Sequence, residues 1–149
     1  MNREAVYEQL KIDEGVVYEI YNDHLGYPTF GVGHLILESD EEFGREVGTA
    51  VTEERVRECF TRDLEIAERE CCTLYGEGSF RAFPDEVQQI LVNMMFNMGR
   101  PRLSKFKNFK AALEENNWKR AAAEGRDSLW YKQVRKRAER LMLRMENVS

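Results

Sequence analysis

The sequence predicts an α+β fold that is mostly helical, with a small β-containing part near the N-terminus. Residues 16–37 are rich in β-branched and aromatic side chains and are interrupted by turn residues, which is typical of short strands joined by tight turns. Residues 52–72 and 84–98 instead carry apolar side chains at three- to four-residue spacing, which predicts two helices. The predicted strands and helices fall in different parts of the chain and do not alternate along it, as is typical of the α+β class.

Composition narrows the class of protein. The chain has 149 residues, of which 42% are hydrophobic and 33% charged, as is usual for one globular domain with a real core. No apolar run is long enough to span a membrane, and the charged N-terminal segment MNREAVYEQLKIDEG has no secretory signal pattern. The net charge of −5 argues against nucleic acid as a partner.

The first half of the chain is predicted to contain a helix, the β region, a loop and a second helix. Residues 3–12 predict a short helix that ends before Gly15, and the β region follows. Residues 38–50 are acidic and contain glycine, and they predict a surface loop with a short helix. Thr52 is a typical N-cap, followed by two glutamates that suit the start of a helix dipole, so a long helix is predicted over 52–72.

The second half is predicted to be helical. Pro84 is typical of a first helical turn, and Gly99 is typical of a helix end. Between them the side chains are apolar almost all round, which indicates a buried central helix. Residues 76–79 predict a loop. Three further short helices are predicted at 105–115, 117–125 and 135–145.

This order predicts a single domain with two lobes. The β-containing lobe is 13–51, the connecting helix is 52–72, and the helical bundle lobe combines 1–12 with 73–149. A cleft between two such lobes is a natural substrate site. The cysteines are Cys59, Cys71 and Cys72, with no metal-ligand spacing around them, and they are interpreted as reduced thiols.

Two acidic residues stand out by their positions. Glu14 closes the first helix, and Asp23 lies in the first turn of the β region. A pair of carboxyl groups at a lobe junction suits glycosidic cleavage, in which one protonates the leaving oxygen and the other handles water. Thr29 would hold that water by its hydroxyl. The chain has 27 acidic residues, so spacing alone leaves the ordinary interpretation open: a helix-end charge and a turn residue.

The segment IDEGVVYEIYNDHLGYPTFGVGHLI resembles the active-site segment of phage-type lysozymes, the family best known from the T-even phages. That family's signature is Glu, eight residues, Asp, five residues, Thr, and Glu14, Asp23 and Thr29 meet it without a gap. Three later stretches also resemble family sequences: NMMFNMG at 93–99, SLWYKQ at 128–133 and RKRAER at 135–140. The resemblance covers nearly the whole chain, with a shortening around 38–52.

The resemblance implies a lysozyme-like fold and an endo-acting, inverting muramidase. It would hydrolyse the β-1,4 bond between N-acetylmuramic acid and N-acetylglucosamine. By the same resemblance, Glu14 is the general acid, Asp23 orients or deprotonates the attacking water, and Thr29 helps to position it. Leu35 and Phe96 match positions that line the sugar cleft.

Further positions have implied supporting roles. Arg137 matches an arginine that pairs with the catalytic glutamate, and His34 and Asp63 match a structural ion pair. Three positions depart from the family pattern and leave the subsite contacts open: Asn97, Phe109 and Glu124.

The expected biology follows from the resemblance as well. No metal and no organic cofactor is implied, the partner is bacterial peptidoglycan, and a monomer without stable membrane insertion is expected. We expect synthesis in the cytoplasm of a bacterial host, release through a holin-type pore, and bacteriolytic attack on the wall that lyses the host. A tail-associated or non-phage role and the peptidoglycan chemotype stay open.

Three alternatives remain open. A lytic transglycosylase needs a lone glutamate, so Asp23 and Thr29 argue against it. A catalytically silent wall-binding module would not need Glu14, Asp23 and Thr29, so their presence argues against it. A small helical DNA-binding regulator is suggested by the basic residues of 100–144, but the β region and the acidic total argue against it.

Overall fold

A computed structural model describes all 149 residues and contains nine helices and one three-stranded antiparallel sheet. The α+β class is confirmed. The chain divides into two compact units, residues 3–66 and residues 1–2 with 67–149. No helix combines the length and the apolar character needed to cross a membrane.

The unit of residues 3–66 opens with one helix and a small sheet. Its elements are α1 (Arg3–Glu14), β1 (Val17–Asn22), β2 (Pro28–Gly31) and β3 (His34–Leu35), and α2 (Glu53–Tyr75) begins in it. The strands are ordered β1-β2-β3, so Thr29 of the central strand pairs with Tyr21 on one side and with Leu35 on the other. The unit includes residues 3–12, which the lobe prediction groups with 73–149. The lobe boundaries themselves stay a prediction.

The core of this unit joins α1 to the sheet and to the first half of α2. Each element contributes side chains that are almost wholly buried: Val6, Tyr7 and Leu10 from α1, Ile20 and Phe30 from the sheet, and Val56, Phe60 and Leu64 from α2. The rings of Tyr7 and Phe60 pack with centroids 4.7 Å apart. This packing fixes the end of α1 beside the start of the sheet.

The long helix α2 begins as predicted. The hydroxyl oxygen of Thr52 accepts a hydrogen bond from the backbone N–H of Arg55 at 3.1 Å, which satisfies one of the free donors of the first turn. The helix then continues to Tyr75, three residues beyond the predicted end.

The short helix predicted within 38–50 does not form. The segment is instead a series of turns, in which Gly44 and Gly48 adopt positive φ angles of 82° and 92° that interrupt helical geometry. Backbone hydrogen bonds from Gly48 N–H to the Ile20 carbonyl, at 2.8 Å, and from Ile20 N–H to the Thr49 carbonyl, at 2.9 Å, attach it to the sheet. An isolated bridge pairs Glu19 with Ala50.

The other unit is entirely helical after the end of α2. Its helices are α3 (Glu77–Ala82), α4 (Asp85–Met98), α5 (Arg100–Leu103), α6 (Lys107–Glu114), α7 (Trp118–Arg126), α8 (Leu129–Gln133) and α9 (Arg135–Glu146). Helix α4 is the central element, because nine of its 14 residues are buried. This confirms the buried helix that the apolar pattern predicts over 84–98.

Three short helices were not predicted, and the loop predicted at 76–79 was wrong in part. Helix α3 occupies that stretch because Phe80, which is wholly buried, anchors it and Gly76 turns into it with φ 89°. Helices α5 and α8 are single turns that begin immediately after Gly99 and Ser128. The Ser128 hydroxyl accepts from the Tyr131 N–H, so a side-chain cap accounts for α8.

Candidate active site

Glu14 is the last residue of α1 and is exposed to solvent. Gly15 follows with a φ of 78°, a left-handed conformation that ends the helix and directs the chain into β1. The sequence therefore places Glu14 at a fixed helix end, at a solvent-exposed position.

Asp23 lies in the turn between β1 and β2, and its own backbone and side chain build that turn. Its Oδ1 atom accepts hydrogen bonds from the backbone N–H groups of Leu25 and Tyr27, both at 2.9 Å. The Asp23 N–H donates to the Tyr27 carbonyl, and Gly26 N–H donates to the Asp23 carbonyl, also at 2.9 Å. The hydrogen bonds of the turn thus occupy Oδ1, whereas Oδ2 remains available for other contacts.

Thr29 lies on the central strand β2 and is only 3% exposed. Its hydroxyl donates a hydrogen bond to the Tyr27 carbonyl at 2.9 Å. Because the single hydroxyl proton is used there, Thr29 Oγ1 can make any further hydrogen bond only as an acceptor. Tyr27 thus connects the side chains of Asp23 and Thr29 through its N–H and its carbonyl.

The predicted sugar-contacting residues lie on different elements. Leu35 is the last residue of β3, pairs with Thr29 and remains 46% exposed. Phe96 lies near the end of α4 and is half-buried. Their contact with a saccharide stays a prediction.

Arg137 belongs to α9 and is anchored on α4. Its Nε donates to the Asn93 side-chain oxygen at 2.9 Å, and a terminal nitrogen donates to the Asn93 carbonyl at 3.3 Å. Asn93 is buried, so this pair fixes the base of the guanidinium within the helical unit. The predicted pairing of Arg137 with Glu14 stays a prediction.

His34 is held between two carboxylates. Its Nδ1 is 2.8 Å from Asp63 Oδ2 and its Nε2 is 2.8 Å from Asp40 Oδ2. Burial lowers the pKa of His34, but the hydrogen bonds to Asp63 and Asp40 outweigh that effect and raise it above its ordinary value. When the ring is protonated, both nitrogens can donate, and each then has a carboxylate oxygen at 2.8 Å to accept. The contact with Asp63 is the one that the resemblance implied, whereas Asp40 was not predicted.

Arg55 extends this cluster along α2. It binds both carboxylate oxygens of Glu42, at 2.8 and 3.0 Å, and lies 3.4 Å from Asp40 Oδ1. Burial raises the pKa of Glu42, but hydrogen bonds from Arg55 prevail and hold it below its ordinary value. The cluster attaches the segment after β3 to α2. It was missed because its members are distant in sequence and because 38–52 departs from the family pattern.

The structure shows where the three residues that depart from the family pattern lie. Asn97 accepts a hydrogen bond from the Trp130 indole nitrogen at 2.7 Å, and Phe109 is almost wholly buried. Glu124 is partly exposed and lines a groove of about 260 Å³ with Phe109 and Ser128. At least two of these residues therefore serve the packing of the helical unit.

Comparison with known proteins gives one family match. The family model described as phage lysozyme matches residues 11–147. The pre-baseplate central spike protein Gp5 of Enterobacteria phage T4 is 34% identical over 152 residues, which covers 91% of this chain but only 26% of that protein. The probable T4-type lysozyme 1 of Dictyostelium discoideum is 28% identical and is covered over 91% of its length. The peptidoglycan hydrolase gp36 of Pseudomonas phage phiKMV is 31% identical, and 13% of its length is covered.

Proposed function

We propose that this chain degrades bacterial peptidoglycan, because it belongs to the phage lysozyme family. The bond it would hydrolyse is the β-1,4 bond between N-acetylmuramic acid and N-acetylglucosamine. The names of two relatives, a probable T4-type lysozyme and a peptidoglycan hydrolase, support this substrate. The proposed enzyme is an endo-acting glycoside hydrolase that inverts the anomeric carbon. Its reaction uses two carboxyl groups and one water molecule.

The observation that most directly supports this proposal is the set of hydrogen bonds that Asp23 and Thr29 make at the turn between β1 and β2. Asp23 Oδ1 is occupied by two backbone N–H donors, so Oδ2 is the atom that would receive a proton. The Thr29 hydroxyl proton is occupied by the Tyr27 carbonyl, so its oxygen would accept from water. A water that donates to both residues has its lone pair free to attack carbon.

The proposed chemical step balances as follows. Glu14 transfers its proton to the glycosidic oxygen, which leaves with the bonding electron pair. The water oxygen bonds to the anomeric carbon from the opposite side, and its proton passes to Asp23 Oδ2. Thr29 holds the water during this step and exchanges no proton. General acid and general base catalysis each contribute typically about 10²- to 10⁴-fold in rate.

We propose that the biological role is host lysis. The chain would act as a monomer, made in the cytoplasm of a bacterial host and released to the wall through a holin-type pore. Its match to about a quarter of a phage spike protein keeps the tail-associated role as the alternative. Expression in a Gram-negative host with and without a co-expressed pore tests the endolysin route, which predicts lysis only when the pore is present.

The first test is turbidity loss of outer-membrane-permeabilised Gram-negative cells, with mass spectrometry of the released muropeptides. Glu14→Gln and Asp23→Asn are each expected to reduce lysis by about 10²-fold or more. Asp23→Asn keeps the Oδ1 acceptor, so the turn and the fold persist and the loss is chemical. Glu38→Gln, which alters an exposed glutamate of the same unit, is the control and keeps full activity.

The products decide between reaction classes. Reducing muramic acid ends, lost in both variants, would support the hydrolase. Anhydro ends that survive Asp23→Asn would replace it with a lytic transglycosylase. Binding of a folded wild-type protein to peptidoglycan without any release of reducing ends would leave a silent wall-binding module.

A further inference from the structure

Three side chains that bear different metal-binding atoms meet inside the unit of residues 3–66. His34, Asp40 and Cys59 are all buried, and their ligand atoms lie within 4.8 Å of one another. They come from separate parts of the chain: β3, the turn segment after it, and α2. Neither the proposed acid–base chemistry nor the predicted ion pair with Asp63 uses Cys59.

We propose that His34, Asp40 and Cys59 bind one Zn²⁺ ion. Imidazole nitrogen, thiolate sulfur and carboxylate oxygen are the three ligand types that zinc takes in proteins. Calcium and magnesium select oxygen-only sites, so the sulfur and nitrogen donors favour a softer cation. Three protein ligands leave the fourth tetrahedral position to a water molecule.

The orientation of His34 suits a metal ligand. Its Nδ1 is fixed by Asp63 Oδ2 at 2.8 Å, which is the carboxylate–histidine arrangement that typically orients a zinc-bound imidazole. Its other nitrogen, Nε2, faces Asp40. Cys59 and Asp63 are four residues apart on α2 and therefore lie on the same face of that helix. One helix face thus supplies both a ligand and the carboxylate behind the histidine.

Cys59 is a free cysteine that forms no disulfide. It is wholly buried, and burial raises the pKa of its thiol to about 11. Without a metal ion, a proton shared by His34 Nε2 and Asp40 occupies the centre of the site. Zn²⁺ would replace that proton and the thiol proton, so two protons leave as two positive charges enter, and the net charge of the cluster stays the same.

Zinc binding needs a small rearrangement of the ligand atoms. Zinc bonds of about 2.0–2.3 Å place tetrahedral ligand atoms about 3.3–3.7 Å apart. His34 Nε2 and Asp40 Oδ2, now 2.8 Å apart, must therefore separate by about 0.5 Å, and a pair near the 4.8 Å limit must close by about 1 Å. Arg55 and Arg62 lie 3.4 and 3.9 Å from Asp40 Oδ1, and their positive charges oppose a cation. We therefore expect weaker binding than in closed sites with four protein ligands. The bound ion would tie β3 and the turn segment to α2 and stabilise this unit.

The test uses the full chain, reduced and stripped of metal with a chelator that is then removed. Co²⁺ is the spectroscopic probe, because a cysteine thiolate gives a charge-transfer band on coordination, and Zn²⁺ is titrated by calorimetry. We expect one Zn²⁺ per chain, a Co²⁺–thiolate band that Zn²⁺ abolishes, and a higher Tm. At a free Zn²⁺ concentration of 100 times Kd, the unfolding equilibrium constant falls about 100-fold.

Matched variants identify the ligands. Cys59→Ser should abolish the band, and Asp40→Asn should weaken Zn²⁺ binding at least about tenfold. Cys72→Ser, a partly exposed cysteine, and His24→Gln, the other histidine, should bind as the wild type does.

Because Cys59→Ser could disturb folding, the titration of the wild type is decisive by itself. The absence of a thiolate band and of saturable heat up to about 1 mM Zn²⁺, where even weak sites fill, would overturn the proposal. A band that persists in a folded Cys59→Ser variant, or that disappears in Cys72→Ser, would overturn it equally. None of these outcomes depends on lytic activity.

Discussion

Gly125 of α7 lies directly against Met142 of α9. A Cβ atom built on Gly125 would lie 2.3 Å from Met142 Sδ and 3.3 Å from its Cγ. Gly125 is buried and Met142 is wholly buried, so the methionine has little room to withdraw. The backbone of Gly125 does not adopt a positive φ, so steric conflict alone opposes a larger residue. We therefore predict that Gly125→Ala destabilises the protein.

Two opposing effects set the magnitude. Alanine is favoured over glycine by up to about 1 kcal/mol in a helix interior. Overpacking a well-filled core typically costs about 1–3 kcal/mol. Because Gly125 is the penultimate residue of α7, the gain from alanine lies anywhere up to that value, and Gly125→Ala is predicted to lower the free energy of unfolding by about 0–3 kcal/mol. Gly78 in α3 is the matched control, because a Cβ there meets nothing within 4 Å.

Urea unfolding followed by circular dichroism compares the two substitutions. Gly78→Ala should raise the free energy of unfolding by up to about 1 kcal/mol, since only the helix preference changes. In a double-mutant cycle, Met142→Ala should relieve the cost of Gly125→Ala by about 1 kcal/mol or more. If Gly125→Ala stabilises the protein as much as Gly78→Ala does, Met142 moves aside freely and the packing interpretation is refuted.

Three further outcomes are expected. Hydrogen bonds from Arg126 and then from Tyr131 lower the pKa of Glu139 to about 2, so its contribution to stability is present above the unfolded pKa of about 4.3 and is lost as the pH falls toward 2. Arg126→Gln should therefore flatten the fall of Tm in this window, and an unchanged slope would contradict it. Thr52→Ala should cost about 1 kcal/mol in urea unfolding through loss of the α2 N-cap, whereas Thr52→Asp should not. Phe80→Ala should cost about 3–5 kcal/mol by the same measurement, and a cost below about 1 would mean that α3 is not anchored as the structure has it.

The fold was predictable where a periodic pattern ran for many residues. Helices α2 and α4 have 23 and 14 residues, which is long enough for apolar spacing to define a face. Helix α3 has six residues, follows Gly76 and contains Gly78, and its one buried phenylalanine is too little periodicity to recognise. The short helix expected within 38–50 was wrong because acidic composition does not reveal glycines in left-handed conformations.

The site was predictable to the extent that its geometry is local. Asp23 is bound by residues two and four positions ahead, and Thr29 by a residue two positions behind, so the contiguous motif itself contains the hydrogen-bond partners. The cluster around His34 is different. Asp63 is 29 positions away and was proposed only through a family resemblance, and Asp40 and Cys59 could not be connected with His34 from spacing.

This contrast between local and distant contacts has a functional consequence. Atoms that must hold a water within a fraction of an ångström are best fixed by the shortest chain segment, because few intervening torsions then vary. In the proposed mechanism, the turn between β1 and β2 would meet that need with hydrogen bonds that join only residues 23–29. The His34 cluster works at longer range: it holds β3, whose Leu35 pairs with Thr29, against α2. Loosening that cluster should therefore alter how the strand beside Thr29 meets a saccharide, and so affect KM more than kcat, while Asp23 and Thr29 keep their own hydrogen bonds.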